Sequence, residues 1–161
     1  TSLNSANNAQ SISGATSATA ASDSAKTWYG LYQKEKEYSE KNKLTNVVGS
    51  SMMWGSQYDQ MMIWMQGNGI DVTSATPTDL DGTTTSRNTA RTTGTEPNDK
   101  LNNIYDLLGN SFEWTLEASS TDCRTYRGGS YVVSFSPSNR YVSYPYNTIS
   151  NYSTRLTLYV K

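Results

Sequence analysis

Residues 103–115 read Asn-Ile-Tyr-Asp-Leu-Leu-Gly-Asn-Ser-Phe-Glu-Trp-Thr, and they determine how we interpret the second half of the chain. The pair Gly109-Asn110 is a turn signal, because both residue types tolerate a backbone conformation with positive φ. After this turn, Phe112 and Trp114 alternate with polar residues, so their side chains point to the same side of a strand. The stretch therefore predicts a turn that leads into a strand with an aromatic face.

Two further segments extend this pattern: residues 127–131 read Arg-Gly-Gly-Ser-Tyr and residues 155–158 read Arg-Leu-Thr-Leu. The glycine pair of the first segment permits a sharp turn or a bulge that a residue with a Cβ would resist. In order along the chain, the three segments resemble the N-x-Y-D-L-x-G-N-x-x-E-W, R-G-G-S-W and G-F-R-L motifs of the formylglycine-generating-enzyme (sulfatase-modifying factor) family, with Ser153-Thr154 in place of the last Gly-Phe. The resemblance implies an α+β, C-type lectin-like fold, with two helices around a small twisted antiparallel sheet and long loops.

Apolar periodicity predicts the first helix over residues 25–42. Trp28, Leu31 and Tyr32 share one face of this helix, and the charged run at residues 34–37, Lys-Glu-Lys-Glu, is expected to face water.

A second helix is predicted to start near Ser56, which stands three residues before Asp59 in the spacing of a capping box. Its apolar positions at helical spacing are Trp54, Tyr58, Met61 and Met65. Gly67 and Gly69 are expected to end it.

After residue 104, short apolar runs broken by Gly, Pro and Asn predict strands at Phe112–Leu116, Tyr126–Arg127, Tyr131–Phe135, Arg140–Tyr144 and Arg155–Val160. Helices first and strands last indicate an α+β domain with an antiparallel sheet, which we assign to residues 24–161. Residues 1–23 are predicted to be a tether or irregular lead-in. Residues 71–103 are either a functional loop or an excursion that packs over the core.

Composition excludes several classes of function. The chain contains no histidine and one cysteine, Cys123, so nucleophile–histidine triads, histidine-based zinc or iron sites and internal disulfides are ruled out. The net charge of −1 without a basic stripe argues against nucleic-acid binding, and no apolar run is long enough for a membrane span. Catalysis by a pair of carboxylates remains open at this stage.

The family resemblance concerns the scaffold and does not carry an activity. The oxidase branch of the family uses a cysteine pair, and the sulfoxide-synthase branch binds iron through three histidines, neither of which this chain has. We therefore predict no catalytic residues. In some family members the Gly-Asn-x-x-Glu stretch binds structural calcium, so Asn110 and Glu113 are candidate calcium ligands, although Glu113 could equally accept internal hydrogen bonds. No other cofactor is expected.

The C-terminal part of the chain uses a restricted set of amino acids. From Ala118 to Val160 there is no Lys, Glu, Gln, Met or Trp, whereas the first 117 residues contain 26 residues of these five types. Strand propensity explains the scarcity of Lys and Glu but not that of Trp, which strands favour. If an Asn codon AAC is mutated at its two adenines, it can encode Tyr, Ser, Val, Ile, Phe or Thr, but none of the five missing types.

This pattern resembles the variable proteins of diversity-generating retroelements, in which adenine-directed mutagenesis diversifies the end of a C-type lectin-like domain. The resemblance implies a non-catalytic domain with a variable region at about residues 118–153, displayed on a phage virion or a bacterial cell surface. Its ligand would be a protein or glycan on a cell surface. Tyrosine supplies contact area and a hydroxyl, and Ser and Asn supply adaptable hydrogen bonds, as in antibody paratopes.

The predicted ligand-contacting positions are Tyr126, Val132, Val133, Phe135, Tyr141, Val142, Ser143, Tyr144, Tyr146, Asn147, Ile149, Ser150, Asn151 and Tyr152. Some of them are expected to face the core, because alternate residues of a half-buried strand do so. The residues expected to form the fixed frame are Gly128, Gly129, Pro137, Arg140, Pro145 and Arg155. Two alternatives stay open: an enzyme on the same scaffold that uses carboxylates, and a fixed structural or adhesive module.

Overall fold

The two helices of the described residues precede most of the described strands, as predicted, and the computed structural model has an α+β fold. It describes residues 2–3, 9–10, 27–73, 93, 100–101, 104–107, 110–133, 135–148 and 151–161. The helices are α1 (Trp28–Lys41) and α2 (Gly55–Gly67). The strands are β1 (Ser2–Leu3), β2 (Ala9–Gln10), β3 (Val48–Met52), β4 (Lys100–Leu101), β5 (Ile104–Tyr105), β6 (Phe112–Ala118), β7 (Arg124–Arg127), β8 (Tyr141–Ser143), β9 (Tyr152–Thr154) and β10 (Leu156–Val160).

Only part of the predicted lead-in over residues 1–23 is described. Its described residues form the antiparallel pair β1–β2. The rest of this lead-in, and most of the long segment at residues 71–103, lie outside the described residues.

Helix α1 buries one stripe of side chains. Thr27 caps its N-terminus, because the Thr27 hydroxyl accepts a hydrogen bond from the Gly30 amide at 3.2 Å. Trp28 and Leu31 are buried, as predicted. Glu35 is buried too, so the prediction that it faces water is wrong; it lies four residues after Leu31 and therefore on the same helical face.

The N-terminus of α2 is capped differently from the prediction. Gln57 Oε1 accepts a hydrogen bond from the Trp54 amide at 2.9 Å, so the predicted capping box between Ser56 and Asp59 is wrong. Asp59 instead binds two arginines from the second half of the chain. The helix ends at Gly67, as predicted.

The buried face of α2 consists of Tyr58, Met62 and Met65. The sequence predicted Trp54 and Met61 on this face in place of Met62. Trp54 is exposed, because it is the cap residue and lies outside the helical spacing, and Met61 is only half-buried.

The largest sheet has the strand order β8-β7-β6-β9. Neighbouring strands β6, β7 and β8 are antiparallel, but β9 runs parallel to β6, with Phe112 opposite Tyr152. The sheet is therefore mixed, and the prediction of a purely antiparallel one is wrong. The reason is topological: the chain crosses from β8 at one edge to β9 at the other, and this crossover sets β9 parallel to β6.

Four of the five predicted strand positions coincide with observed strands, namely β6, β7, β8 and β10. The fifth was predicted at Tyr131–Phe135, and its described residues, 131–133 and 135, do not form a strand. The Ser130 hydroxyl accepts hydrogen bonds from the Val132 and Val133 amides, which holds the backbone in a turn. Strand β3, which pairs antiparallel with β10, was not predicted.

Among the described residues, two apolar clusters make up the core. The first joins α1 to the large sheet through Trp28, Leu31, Met52, Phe112, Trp114 and Tyr152. The second lies against α2 and consists of Tyr58, Met62, Met65, Val72 and Leu107. Neither described helix combines the length and apolar character that a membrane crossing requires.

We expect Met65→Ala to lower the free energy of unfolding by about 2–5 kcal/mol, because it removes a fully buried side chain and leaves a cavity. Ile63→Ala is the matched control, since Ile63 is exposed on the same helix and its loss should matter by less than about 0.5 kcal/mol. Urea unfolding curves measure both changes. Equal effects would contradict the buried face assigned to α2.

Candidate recognition surface

The turn that leads into β6 has the backbone that its sequence predicts. Asn110 has a φ of 65° and Asp106 a φ of 54°, both in the left-handed region. The Asn110 side-chain amide donates to Asp106 Oδ2 at 3.3 Å, and the Asn110 carbonyl accepts from the Tyr131 amide at 2.9 Å. The turn is thus tied to the segment that follows the glycine pair of residues 128–129.

An ion pair joins β6 to the residue that precedes β10. Arg155 Nε donates to Glu113 Oε2 at 3.0 Å, and Arg155 Nη2 donates to Glu113 Oε1 and to the Tyr105 carbonyl. Burial lowers the pKa of Arg155, but the Glu113 carboxylate opposes this effect and the net pKa is raised. The guanidinium is therefore charged and connects two of the three motifs.

The residues at this turn do not fit calcium. Both Glu113 oxygens accept hydrogen bonds from Arg155, so a bound cation would have to compete with a guanidinium in contact with the same carboxylate. Among the described residues there is also no group of three or more acidic, histidine or cysteine side chains that could hold a metal ion. Glu113 is an internal hydrogen-bond acceptor, which was the alternative left open by the sequence.

The glycine pair after β7 allows close backbone contact. Gly128 has a φ of 79°, and a Cβ on it would lie 3.2 Å from the Leu107 carbonyl oxygen. Ser130 is fully buried and accepts a hydrogen bond from the Asn151 side chain at 3.2 Å. Gly128 and Ser130 are therefore part of the packed interior.

Four charged side chains form a network between α2 and the large sheet. Arg127 Nη1 lies 3.0 Å from Asp59 Oδ1 and 3.8 Å from Glu117 Oε2. Arg140 contacts the same two carboxylates, with its Nε 2.8 Å from Glu117 Oε1 and its Nη2 on Asp59 Oδ2. Gly55 is required beside this network, because a Cβ there would lie 2.8 Å from the Glu117 Cβ.

Two carboxylates, Asp59 and Glu117, come together in this network. Each of them faces two guanidinium groups, so their negative charges are matched one for one. Carboxylates held in this way by guanidinium groups suit a structural role better than proton transfer.

An aromatic column runs along one side of β7 and β8. Tyr126 stacks on Tyr141 with ring centroids 5.7 Å apart, and Tyr141 stacks on Phe135 at 4.4 Å. The column covers Phe112 and Tyr152 of the core. Burial, followed by the neighbouring Tyr152, raises the pKa of Tyr126, so its hydroxyl is neutral.

A tight turn after β8 presents a second aromatic pair. Tyr144 and Tyr146 stack with ring centroids 5.2 Å apart and an interplanar angle of 9°. Pro145 between them is buried, and its carbonyl accepts a hydrogen bond from the Trp28 amide at 3.0 Å. The Asn147 amide closes the turn on the Tyr144 carbonyl at 3.0 Å.

The predicted contact positions divide into exposed, half-buried and buried groups. The exposed ones are Val132, Val142, Tyr144 and Tyr146, of which Tyr146 is the most open at 64%. The half-buried ones are Tyr126, Val133, Phe135, Tyr141, Ser143 and Asn147. Asn151 and Tyr152 are each 8% exposed and are part of the interior, whereas Ile149 and Ser150 lie outside the described residues.

We define the recognition surface as Val132, Tyr141, Val142, Ser143, Tyr144, Tyr146 and Asn147. Most of it lies on β8 and the turn that follows. Because β8 is an outer strand of the large sheet, side chains on both of its sides reach solvent near the edge. Tyr126, Val133 and Phe135 are left out, because they pack against the core cluster of α1 and the sheet.

The sequence did not reveal the charge network that supports this surface. Arg140 was expected to belong to the fixed frame, but Asp59 was assigned to a helix cap and Glu117 received no role. A signal did exist: residues 118–160 contain four arginines and one aspartate, so most of those arginines need carboxylates from elsewhere in the chain.

We expect Glu113→Gln to lower the free energy of unfolding by about 3–5 kcal/mol, because it removes the charge partner of Arg155, whose side chain is largely buried. Glu40→Gln is the control, since Glu40 is exposed on α1 and should contribute less than about 0.5 kcal/mol. Chemical denaturation gives both values.

The same measurement distinguishes an internal ion pair from a calcium site. We expect the unfolding midpoint to be unchanged by millimolar calcium chloride or by EDTA. A midpoint that rises with calcium in the natural chain, and no longer does so in Glu113→Gln, would contradict our assignment of Glu113.

Comparisons with known proteins agree with the fold and go no further. No protein-family model matches the chain, and no curated protein is significantly similar to it in sequence. Among solved structures, the chain is similar to one titled "Crystal Structure of CarF", with a TM-score of 0.58 and 14% sequence identity. The match covers 84% of this chain and 66% of that protein, just under two thirds of its length. At this identity the likeness shows a related fold.

Proposed function

We propose that this chain is the ligand-binding domain of a diversity-generating retroelement variable protein, with a C-type lectin-like fold of the formylglycine-generating-enzyme type. It binds a protein or glycan on a cell surface and performs no chemistry. One observation carries the proposal. The exposed aromatic and aliphatic side chains of β8 and its following turn lie within the segment that lacks Lys, Glu, Gln, Met and Trp.

The division between frame and surface supports this proposal. Residues of the three motifs are buried or engaged: Trp114 and Arg127 are almost inaccessible, and Arg155 is paired with Glu113. By contrast, Val142, Tyr144 and Tyr146 each expose about half or more of their surface. A diversified protein needs this separation, because the residues that change must not be those that hold the fold together.

The chemistry of the surface also suits recognition by contact. Tyrosine rings offer large areas with few rotatable bonds, so little entropy is lost when they are immobilised. Stacking of Tyr144 on Tyr146, and of Tyr126 on Tyr141, restricts these rings further before any ligand arrives.

The two alternatives are weaker on specific grounds. A carboxylate-based enzyme would need acid and base groups that can exchange protons, yet Asp59 and Glu117 are both held by guanidinium groups. A fixed adhesive module accounts for the tyrosines but not for the absence of five residue types from Ala118 to Val160.

A diversified surface must accept new side chains without loss of stability. We therefore expect Tyr144→Ser and Tyr146→Asn each to change the free energy of unfolding by less than about 1 kcal/mol, because both rings are largely exposed. Tyr152→Ser is the contrasting variant and should cost about 3–5 kcal/mol, because this ring is buried in the core. Thermal and urea unfolding test these values. Losses above about 2 kcal/mol at both exposed tyrosines would argue for a fixed structural role.

The genetic part of the proposal has its own test. We expect the surrounding locus to contain a reverse-transcriptase gene and a near-copy of the 3′ end of this coding sequence. The two copies should differ at adenines of the template, in codons of the recognition surface. A locus with no such copy, or a copy with differences at all four bases, would rule out the retroelement.

A further inference from the structure

Two arginines stand at the two ends of the segment that joins β7 to β8. Arg127 is the last residue of β7, and Arg140 immediately precedes β8. The segment between them, at residues 128–139, carries Val132 of the recognition surface, and β8 carries three more of its residues. Both arginines contact the same two carboxylates, Asp59 of α2 and Glu117 of β6.

The two arginines differ in their surroundings. Arg127 is 1% exposed, its guanidinium lies 4.5 Å from the centre of the Tyr58 ring, and its Nη2 donates to the Ser138 carbonyl at 3.0 Å. Arg140 has a side chain that is 48% exposed, and it bridges the two carboxylates from the solvent side. Arg127 is therefore held in the interior, and Arg140 completes the network from the solvent side.

We infer that Arg127 and Arg140, with Asp59 and Glu117, form a clamp that fixes both ends of the 128–139 segment. In this role Arg140 is a positioning residue, which sets where the recognition surface stands on the scaffold. The inference deepens the proposed function and rests on it for the meaning of that surface. The clamp itself is a claim about the free chain and needs no ligand.

Three further attachments of the segment support this inference, because they do not depend on a side chain of the recognition surface. The Tyr131 amide donates to the Asn110 carbonyl at 2.9 Å, and the Ser138 amide donates to the Val72 carbonyl at 3.1 Å. The Ser136 hydroxyl also donates to the Val72 carbonyl at 3.0 Å. These three bonds and the four charges thus hold the segment independently of the displayed side chains. Tyr141 adds to them, because its hydroxyl accepts from the Asn139 side-chain amide at 2.9 Å and its ring stacks on Phe135.

Arginine suits this position for a geometric reason. Its planar guanidinium presents several donors in a fixed arrangement, so Arg140 reaches Glu117 through Nε and Asp59 through Nη2 at the same time. A lysine would carry the same charge as a single point and could satisfy one carboxylate well. We therefore expect Arg140→Lys to keep one of the two ion pairs that Arg140 makes, and Arg140→Met to abolish both.

Amide hydrogen exchange, followed residue by residue by NMR on the free protein, measures this effect. The reporters are the hydrogen-bonded amides of Ser130, Tyr131, Ser138 and Asn139. In Arg140→Met we expect them to exchange about three- to tenfold faster, since the pairs that are lost are partly exposed to solvent. Arg140→Lys should fall between this variant and the natural chain.

Two references separate a local clamp from general destabilisation. The amides of Phe112 and Leu116 in β6, which bond to Asn151 and Met53, should keep their exchange rates. Arg124→Met is the matched control, because it removes another arginine of β7 that has no contact with either carboxylate of the clamp. It should leave the four reporters unchanged.

The inference would be overturned if the four reporters did not respond to Arg140→Met, or if the β6 amides accelerated by the same factor. It would also be overturned if Arg140→Lys behaved like Arg140→Met, because the charge would then have no part in the effect. A further arm uses salt: 1 M sodium chloride should accelerate the reporters in the natural chain and not in Arg140→Met. These outcomes are independent of the genetic locus, so either proposal can fail without the other.

Discussion

The positive charge of Arg127 is the constraint on which the second half of this structure depends. A guanidinium that is almost inaccessible to water costs several kcal/mol unless carboxylates and hydrogen bonds compensate for its lost hydration. Its partners come from two other elements, Asp59 of α2 and Glu117 of β6, and the Tyr58 ring lies against it. Because one buried charge needs all three, the position of α2 on the sheet is set together with the position of β7.

The Glu113–Arg155 pair is a second ion pair that holds β6 to another element. It connects the aromatic strand to the start of β10, which in turn pairs with β3 near the beginning of the domain. The apolar clusters supply most of the driving force for folding, since hydrophobic burial is the dominant favourable contribution. The ion pairs make the packing more specific, because charges that are costly to bury without partners tolerate few alternative arrangements.

Local signals in the sequence predicted the elements whose character is determined by neighbouring residues. The turn at Asn110 and strand β6 are of this kind, since positive φ and alternation are properties of adjacent positions. Strand β3 was missed, because Gly49, Ser50 and Ser51 have little strand propensity and its partner β10 lies at the far end of the chain. The run at Tyr131–Phe135 has the composition of a strand, but the Ser130 hydroxyl accepts hydrogen bonds from its Val132 and Val133 amides. Partners distant in sequence also decided the burial of Tyr152 and the role of Asp59.

The buried prolines have a consequence at the level of the gene. Pro145 fixes the turn that holds the Tyr144 and Tyr146 rings, through the bond of its carbonyl to the Trp28 amide, and Pro137 is fully buried in the preceding segment. Every proline codon begins with two cytosines, and every glycine codon, including that of Gly128, begins with two guanines. A copying process that errs only at adenines would pass over the first two bases of these triplets. The prolines and glycines that fix the backbone would then be inherited unchanged, while neighbouring codons that contain adenines are mutated.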